Sequence, residues 1–398
     1  MKRNYNLLLV NPWIYDFTAY DFWSKPLGLL YIAGILIEQD YKINYIDCMD
    51  RYNREILKLQ NRELPQKDEF GRGPFYKEEV KKPEVLKNIP RCFSRYGITE
   101  DVFIDELTKI PSPQAVLITS VMSYWYPGVF RVIEIIKKIF PGIPIILGGV
   151  YTTLCFKHAF KFSGADYVTK GNSIRDLIKI LEQHAGKKND YSKYEKGLDN
   201  LPYPAWDLYS KLDYICILSS RGCPYRCSYC ASFRINPKLE FRNPKEVNKE
   251  IEYWHREREI KDFVFYDDAL LINSEDNFLI ILEGLISKKL AIRLHTPNGI
   301  HVRMINEKIA LKMYQAGVET IRLGFETVDP RLQSETGGKV TNLEFKKAVN
   351  YLLKAGFKTS QIGAYLLIGL PGQNLQEIVD SIRFVIDCGA HPRLAKFS

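Results

Sequence analysis

YICILSSRGCPYRCSYC, residues 214–230, is the stretch on which the reading of this chain turns. Its first half is an apolar run of the kind that fills a buried strand, and Arg221-Gly222 then turns the chain. Three cysteines follow at once, Cys223, Cys227 and Cys230, with the spacing C-x-x-x-C-x-x-C. Three thiolates on one loop bind three irons of a four-iron cluster and leave the fourth iron open to a small molecule. Two other readings compete. Zinc wants a fourth ligand, and Cys216 stands seven residues upstream of Cys223, but it lies inside the apolar strand and no nearby histidine completes the set. Unpaired buried thiols are the third reading, against which the strand-turn-cysteine context argues.

CPYRCSYC also resembles the signature of the radical S-adenosylmethionine enzymes, including the aromatic Tyr229 before the last cysteine. The resemblance implies that Cys223, Cys227 and Cys230 ligate a 4Fe-4S cluster, that Tyr229 packs near adenine, and that S-adenosyl-L-methionine chelates the open iron. Later landmarks fall in order. Phe325-Glu326 in LGFETVD resembles the fourth-strand segment whose carboxylate faces the cofactor. Gly369 in LLIGLPGQ, with Pro371 and Gly372 turning the chain, resembles the glycine motif beside the adenine. Asp267 and Asp268 lie where many members carry a Gly-Gly-Glu run that holds the cofactor's amino group. That is a departure, and either aspartate equally suits a cap on the following helix. HTPNGIHVR, residues 295–303, is read as following the third strand, which puts His295, Asn298, His301 and Arg303 at the barrel mouth to touch substrate or cofactor, or to order a loop. Plainer readings exist for each landmark: GLPG is a common turn, a glutamate at a strand end is usually solvated, and Asp-Asp often starts a helix.

Downstream of residue 214 the apolar runs 214–221, 262–266, 291–295, 320–325, 364–369 and 394–398 read as strands. Helical patterns near 243–258, 274–288, 306–316, 342–355 and 374–388 separate them, and this alternation predicts a partial (β/α)6 barrel over 214–398. In radical barrels a sixth helix covers the last strand, so the resemblance implies further residues after Ser398 in related proteins, this chain being a fragment or a shortened homologue. Residues 394–398 are then expected to pair with the fifth strand and to stay poorly covered.

Upstream, strands at 5–11, 43–47, 115–122 and 143–150 alternate with helices in PLGLLYIAGILIEQ and PGVFRVIEIIKKIF, which predicts a doubly wound α/β domain over 1–184. A polar, Pro- and Gly-marked insertion with some helix of its own spans about 52–113, and a linker that packs across the domain boundary spans 185–213. An α/β domain before a radical barrel resembles the cobalamin-binding branch. Ser120, with Val121 and Met122, and the pair Gly148-Gly149 stand where that branch receives the vitamin's nucleotide tail, at the sheet edge where α/β folds bind ligands. Its Asp-x-His-x-x-Gly motif is missing, since NPWIYDFTAYDFWSKPLGLL, residues 11–30, has no histidine. Any bound cobalamin therefore takes no histidine from residues 12–25 on its cobalt. The methylthiotransferase branch would place a second cluster here, but Cys48, Cys92 and Cys155 fall after the wrong elements for that and read as unpaired thiols.

Composition sets the outer bounds. The formal charge of +9 on 398 residues is spread along the chain, which argues against a nucleic-acid partner. No apolar run approaches the roughly 20 residues of a membrane span, and MKRNYNLLLVN lacks a small-residue cleavage site. Eight cysteines without a signal peptide suit thiols and metal ligands, and a cytoplasmic location. The reading is an enzyme that cleaves S-adenosylmethionine reductively to functionalise an unactivated carbon of an unidentified substrate, by methyl transfer where cobalamin is present. An electron donor such as a flavodoxin or ferredoxin is implied. The alternatives are a radical enzyme with a vestigial first domain that performs methylthiolation or a rearrangement, and a non-catalytic zinc- or nucleic-acid-binding protein.

Overall fold

The computed structural model describes residues 5–171, 174–185 and 190–397. The chain forms two compact units, Met1–Leu212 and Asp213–Ser398.

In the first unit β1 (Tyr5–Asn11), α1 (Leu27–Glu38), β2 (Tyr41–Asp47), β3 (Ala115–Ile118), α2 (Tyr126–Ile139), β4 (Ile145–Leu147), β5 (Tyr167–Val168) and α3 (Ile174–Ala185) follow in chain order. The strands pair in parallel in the order β5-β4-β3-β1-β2. The β1 run is apolar throughout because both sheet faces are covered. Leu7 and Leu9 pack with α1 and α3, whereas Leu8 and Val10 pack with α2 and the helix Glu100–Thr108. Since β1 has β2 on one side and β3 on the other, the winding reverses between β1 and β3, the place where an open α/β sheet forms a crevice.

The segment 52–113 holds the helices Arg54–Leu59 and Glu100–Thr108, and its strands Lys77–Glu79 and Ser94–Tyr96 join Ile14–Asp16 in a small antiparallel sheet. The strand expected over 115–122 stops at Ile118; the chain then makes a short 3-10 turn at Ser123–Trp125. Residues 198–209 pack on the first unit. Ala205 donates its N–H to Leu30 at 3.0 Å, Trp206 is fully buried, and Tyr209 donates its hydroxyl to Asp47 at 2.5 Å.

The second unit carries β6 (Tyr214–Ile217), α4 (Pro244–Arg258), β7 (Asp262–Phe265), α5 (Phe278–Lys288), β8 (Arg293–His301), α6 (Glu307–Gln315), β9 (Val318–Glu326), α7 (Asn342–Ala355), β10 (Ile362–Ile368), α8 (Leu375–Asp387) and β11 (His391–Lys396). All six strands pair in parallel, in chain order from β6 to β11. Glutamate at N3, Glu344 and Glu377, closes capping boxes on α7 and α8 with Thr341 and Asn374. Among the described residues no helix is long and apolar enough to cross a membrane.

Three expectations change. The run YICILSSR divides: β6 ends at Ile217, and Ser220–Arg221 pairs antiparallel with Glu240–Phe241. The third strand does not end at His295 but continues to His301, because register shifts after Leu294 and Thr296 absorb Pro297-Asn298-Gly299 without breaking the pairing to β9. The last strand begins at His391 rather than 394 and pairs with β10 up to Lys396; His391, Arg393, Leu394 and Lys396 are exposed, and Ser398 lies outside the described residues.

The Tyr209 hydroxyl stands between Asp47 and the Tyr45 hydroxyl, 2.7 Å away, inside a buried network that also takes in Asn11. Replacing Tyr209 by Phe leaves the Asp47 carboxylate short of a donor and should lower unfolding stability by about 1–3 kcal/mol. Urea titration of wild type and Tyr209→Phe checks this; equal midpoints would show that the network adds nothing.

Candidate functional site

The C-terminal ends of the strands in the second unit bring the candidate residues to one sheet edge. The cysteine loop follows β6, Asp267 and Asp268 follow β7, His301 ends β8, Glu326 ends β9 and Gly369 follows β10.

The start of the cysteine loop is held by the two aspartates. Asp267, 2% exposed, accepts the Ser219 N–H at 3.1 Å and the Ser219 and Ser220 hydroxyls at 2.6 Å each. Burial pushes its carboxyl above the usual range and these donors pull against that. Asp268 accepts the Gly222 N–H and the Asn236 amide, both at 2.9 Å. Neither aspartate caps a helix. Both brace the loop, and Asn298 binds the same corner by donating to the Tyr266 and Asp267 carbonyls at 3.1 Å.

Within the loop, Cys227 is buried and Cys223 and Cys230 are half-buried, all three as free thiols. The Cys230 sulfur accepts the Ser232 N–H at 3.4 Å, and its thiol donates to the Ser232 hydroxyl oxygen at 3.3 Å. Burial raises the Cys223 thiol, the Tyr225 N–H lowers it, and its neighbours Cys230 and Cys227 raise it further. Among the described residues no three His, Cys, Asp or Glu side chains stand close enough to hold a single metal ion. Zinc needs every sulfur about 2.3 Å from one point, whereas each iron of a cluster takes its own thiolate. Free thiols on one loop, two of them already receiving hydrogen bonds, fit the donor set of a cluster.

The opposite wall is a turn that sequence reasoning missed. Thr336 accepts the Ser228 N–H at 3.3 Å, and Gly337, at φ +125°, lies so close that a Cβ there would sit 3.2 Å from the Cys227 Cα and 3.3 Å from its sulfur. Lys339 reaches back to Glu326 Oε1 at 2.5 Å and lies 5.3 Å from the Tyr229 ring centre. Tyr229 donates its hydroxyl to the same carboxylate oxygen at 3.1 Å, and burial, followed by that carboxylate, pushes its pKa well up, so the phenol stays protonated. The residue pair Gly337-Gly338 before a lysine was the available signal.

The remaining landmarks divide. Phe325 belongs to the core against Phe345 and Phe384, so only Glu326 of that pair faces the loop. Gly369, at φ +88°, donates its N–H to Gln373 in an exposed turn with Pro371 and Gly372, and its vacant side faces open space. His295 is not at the mouth: fully buried, it bonds Asp262 at 2.8 Å and Thr320 at 3.0 Å, and Asp262 opens β7 at the far end of the sheet. Arg303 pairs with Glu344 and donates to the Gly338 carbonyl. His301, 7% exposed, stands 3.7 Å from the Cys223 sulfur, and burial, with Lys339 and Arg303 beside it, lowers its pKa to about 4.

In the first unit Ser120, Met122, Trp13 and Trp125 line a cavity with Asn11 and Met49, at the point where the winding reverses. Ser120 Oγ donates to the Gly148 carbonyl at 2.9 Å and accepts the Tyr151 N–H at 3.1 Å. A Cβ on Gly149, at φ +97°, would lie 2.5 Å from the Ser120 carbonyl, so the close approach at the glycine pair is to Ser120. Cys48 is buried while Cys92 and Cys155 are exposed, and no ion-binding group includes them among the described residues.

Residues 217–385 match a family model described as the Radical SAM superfamily. An uncharacterized methyltransferase of Pyrococcus horikoshii is 24% identical over 318 residues, covering 72% of this chain and 68% of its own. The anaerobic magnesium-protoporphyrin IX monomethyl ester cyclase of Cereibacter sphaeroides is 23% identical, covering 77% of this chain and 56% of its own. Among solved structures, the radical S-adenosylmethionine methyltransferase TsrM of Kitasatospora setae, with cobalamin and a [4Fe-4S] cluster bound, superposes with a TM-score of 0.68 at 14% identity, covering 99% of this chain and 72% of that one. At that identity the likeness speaks for the fold: parallel α/β units in the same succession.

Alanine at Gly337 should press on Cys227 and adopt a disfavoured backbone conformation, together costing about 1–3 kcal/mol. Iron and sulfide bound after anaerobic reconstitution should fall in Gly337→Ala and hold in Gly338→Ala, whose Cβ would meet nothing within 4 Å. Equal loading of the two variants would refute the contact.

Proposed function

The chain belongs to the radical S-adenosylmethionine superfamily, and from that premise we propose that it is an enzyme whose loop 223–230 holds a 4Fe-4S cluster and which transfers a methyl group to an unactivated carbon with the help of cobalamin. The observation that carries this reading is the set of three free cysteines on one braced loop whose Tyr229 bonds the Glu326 carboxylate, itself paired with Lys339. When bound, the cluster supplies the single electron that splits the sulfonium of S-adenosylmethionine and so furnishes a carbon-centred radical.

The chain's own residues bind and orient. Cys223, Cys227 and Cys230 are the iron ligands. Tyr229 offers its ring and Glu326 a carboxylate fixed by two partners, which suits the hydroxyl and amino groups of S-adenosylmethionine. Gly369 leaves an open face beside the β10 turn for the adenine. Asp267 and Asp268 act by holding the loop, and residues 214–398 form the radical domain. Residues 1–184, with the insertion at about 52–113, are assigned to cobalamin, with Ser120 and the Gly148-Gly149 turn shaping the edge that receives it and residues 185–213 joining the two domains. A low-potential protein such as a flavodoxin or ferredoxin is the electron donor, and the cytoplasm the compartment. Methylthiolation or a rearrangement with a vestigial first domain is the competing reading, and a relative named as a cyclase rather than a methyltransferase supports another reaction on this fold.

Each of Cys223→Ser, Cys227→Ser and Cys230→Ser should lose most of the reconstituted iron and all reductive cleavage of S-adenosylmethionine to 5′-deoxyadenosine and methionine, while Cys216→Ser, buried in β6, keeps both. A serine triad that still loads the cluster would end the assignment. For the first domain, cob(II)alamin bound to the protein should give an electron paramagnetic resonance spectrum without splitting from a protein nitrogen, since residues 12–25 contain no histidine. Splitting from a protein nitrogen, or no binding at all, would count against the cobalamin reading.

A further inference from the structure

The loop's own backbone supplies N–H donors to its sulfurs, from Ser232 to Cys230 and from Tyr225 to Cys223, but one further polar contact comes from elsewhere in the fold. His301 ends β8, opposite Gly324 of β9, and its Nε2 stands 3.7 Å from the Cys223 sulfur. The ring is 7% exposed and lies against the Tyr225 ring, with centres 4.6 Å apart and planes 33° apart. Tyr225 is two residues beyond Cys223, so the same loop that presents the sulfur also clamps the imidazole. A lone pair on Nε2 would face a thiolate lone pair and be repelled. The tautomer with its proton on Nε2 meets the sulfur with a donor instead.

We propose that the His301 Nε2–H donates a hydrogen bond to the Cys223 thiolate and thereby raises the potential at which a cluster held by that loop accepts its electron. The inference rests on the reading of Cys223 as an iron ligand. Hydrogen bonds to ligating sulfurs draw charge from them, and the reduced cluster, carrying one more negative charge, gains most from the donor. His301 is then a positioning residue that acts through Cys223, and β8 runs on past Pro297 to deliver it. Among the described residues, no acidic side chain is recorded as a hydrogen-bond partner of this imidazole; Lys339 and Arg303 are its charged neighbours.

The test uses the full chain, reconstituted anaerobically as wild type, His301→Phe and His301→Gln. Iron and sulfide are assayed first, and the cluster is then titrated with dithionite under electron paramagnetic resonance detection, so one electron enters from a small-molecule donor. Phe keeps an aromatic plane against Tyr225 and removes the donor; Gln keeps an N–H. At a fixed solution potential the ratio of reduced to oxidised cluster should fall roughly tenfold in His301→Phe, about 59 mV for a one-electron couple, and stay near wild type in His301→Gln. An unchanged ratio in His301→Phe overturns the proposal, as does loss of iron from both variants, which would make His301 a structural prop. Loss of iron from His301→Phe alone, with wild-type potential in His301→Gln, supports the donor. Wild-type protein that takes up no cluster fails at the first assay and overturns the ligand assignment beneath it.

Discussion

The buried carboxylate of Asp267 is the constraint from which the geometry of the cysteine loop follows. Taking an ionisable group out of water is unfavourable unless hydrogen bonds replace its hydration, and Asp267 at 2% exposure is served by one N–H and two hydroxyls, all from Ser219 and Ser220. Those donors are available only if the chain leaving β6 turns at Ser219. The adjacent Asp268 then fixes Gly222 one residue before the first cysteine. Two consecutive side chains at the end of one strand thus determine where a neighbouring strand releases its loop, and the sulfurs inherit that precision.

The other side of the site is set by an irregularity in β9. The register against β10 shifts between Gly324 and Glu326, and Glu326 has φ of +72°, a region that a side-chain-bearing residue occupies at some cost. The shift lets Phe325 join Phe345 and Phe384 on the helix side while Glu326, next in sequence, points to the mouth. The two partners of its carboxylate, Tyr229 from the cysteine loop and Lys339 from the turn after residue 336, hold that conformation. One strained carboxylate therefore ties three separate stretches of chain together.

Much of this was legible in the sequence because it is local. The cysteine spacing, the alternation of β-branched runs with amphipathic helices, and the glycine turn at 369 each depend on residues close in sequence, and periodicity reports such things. Residues 293–301 were not legible, because Pro297, Asn298 and Gly299 are turn formers that the strand carries as an irregularity between the pairs Thr296–Ile321 and Ile300–Leu323. The error had a consequence: it put His295 at the mouth, whereas its bond to Asp262 places it at the opposite end of the strands. Lys339 and Gly337 were missed for a related reason. Their role exists only through contacts with Glu326, Tyr229 and Cys227, more than 10 residues or more than 100 residues away in sequence, and no local pattern announces them.

The two units apply one rule of parallel sheets, that ligands gather at the carboxyl ends of the strands, with opposite chemistry. At the edge of the second sheet, thiols, Glu326, Lys339 and His301 provide charge and hydrogen bonds, as a small polar cofactor on a cluster requires. At the reversal point of the first sheet, the lining includes Trp13, Trp125, Met49 and Met122, with Asn11, Ser24 and Ser120 the polar exceptions. Asn11 is already bonded to Asp47 at 2.7 Å, and Ser120 to Gly148 and Tyr151. A large ring received at such an edge would be held by packing and by its own shape rather than by coordination to a side chain. The absence of histidine from residues 12–25 and the aromatic, thioether-rich lining would suit the proposed cobalamin in the same way: apolar groups would support it where no histidine of that loop could.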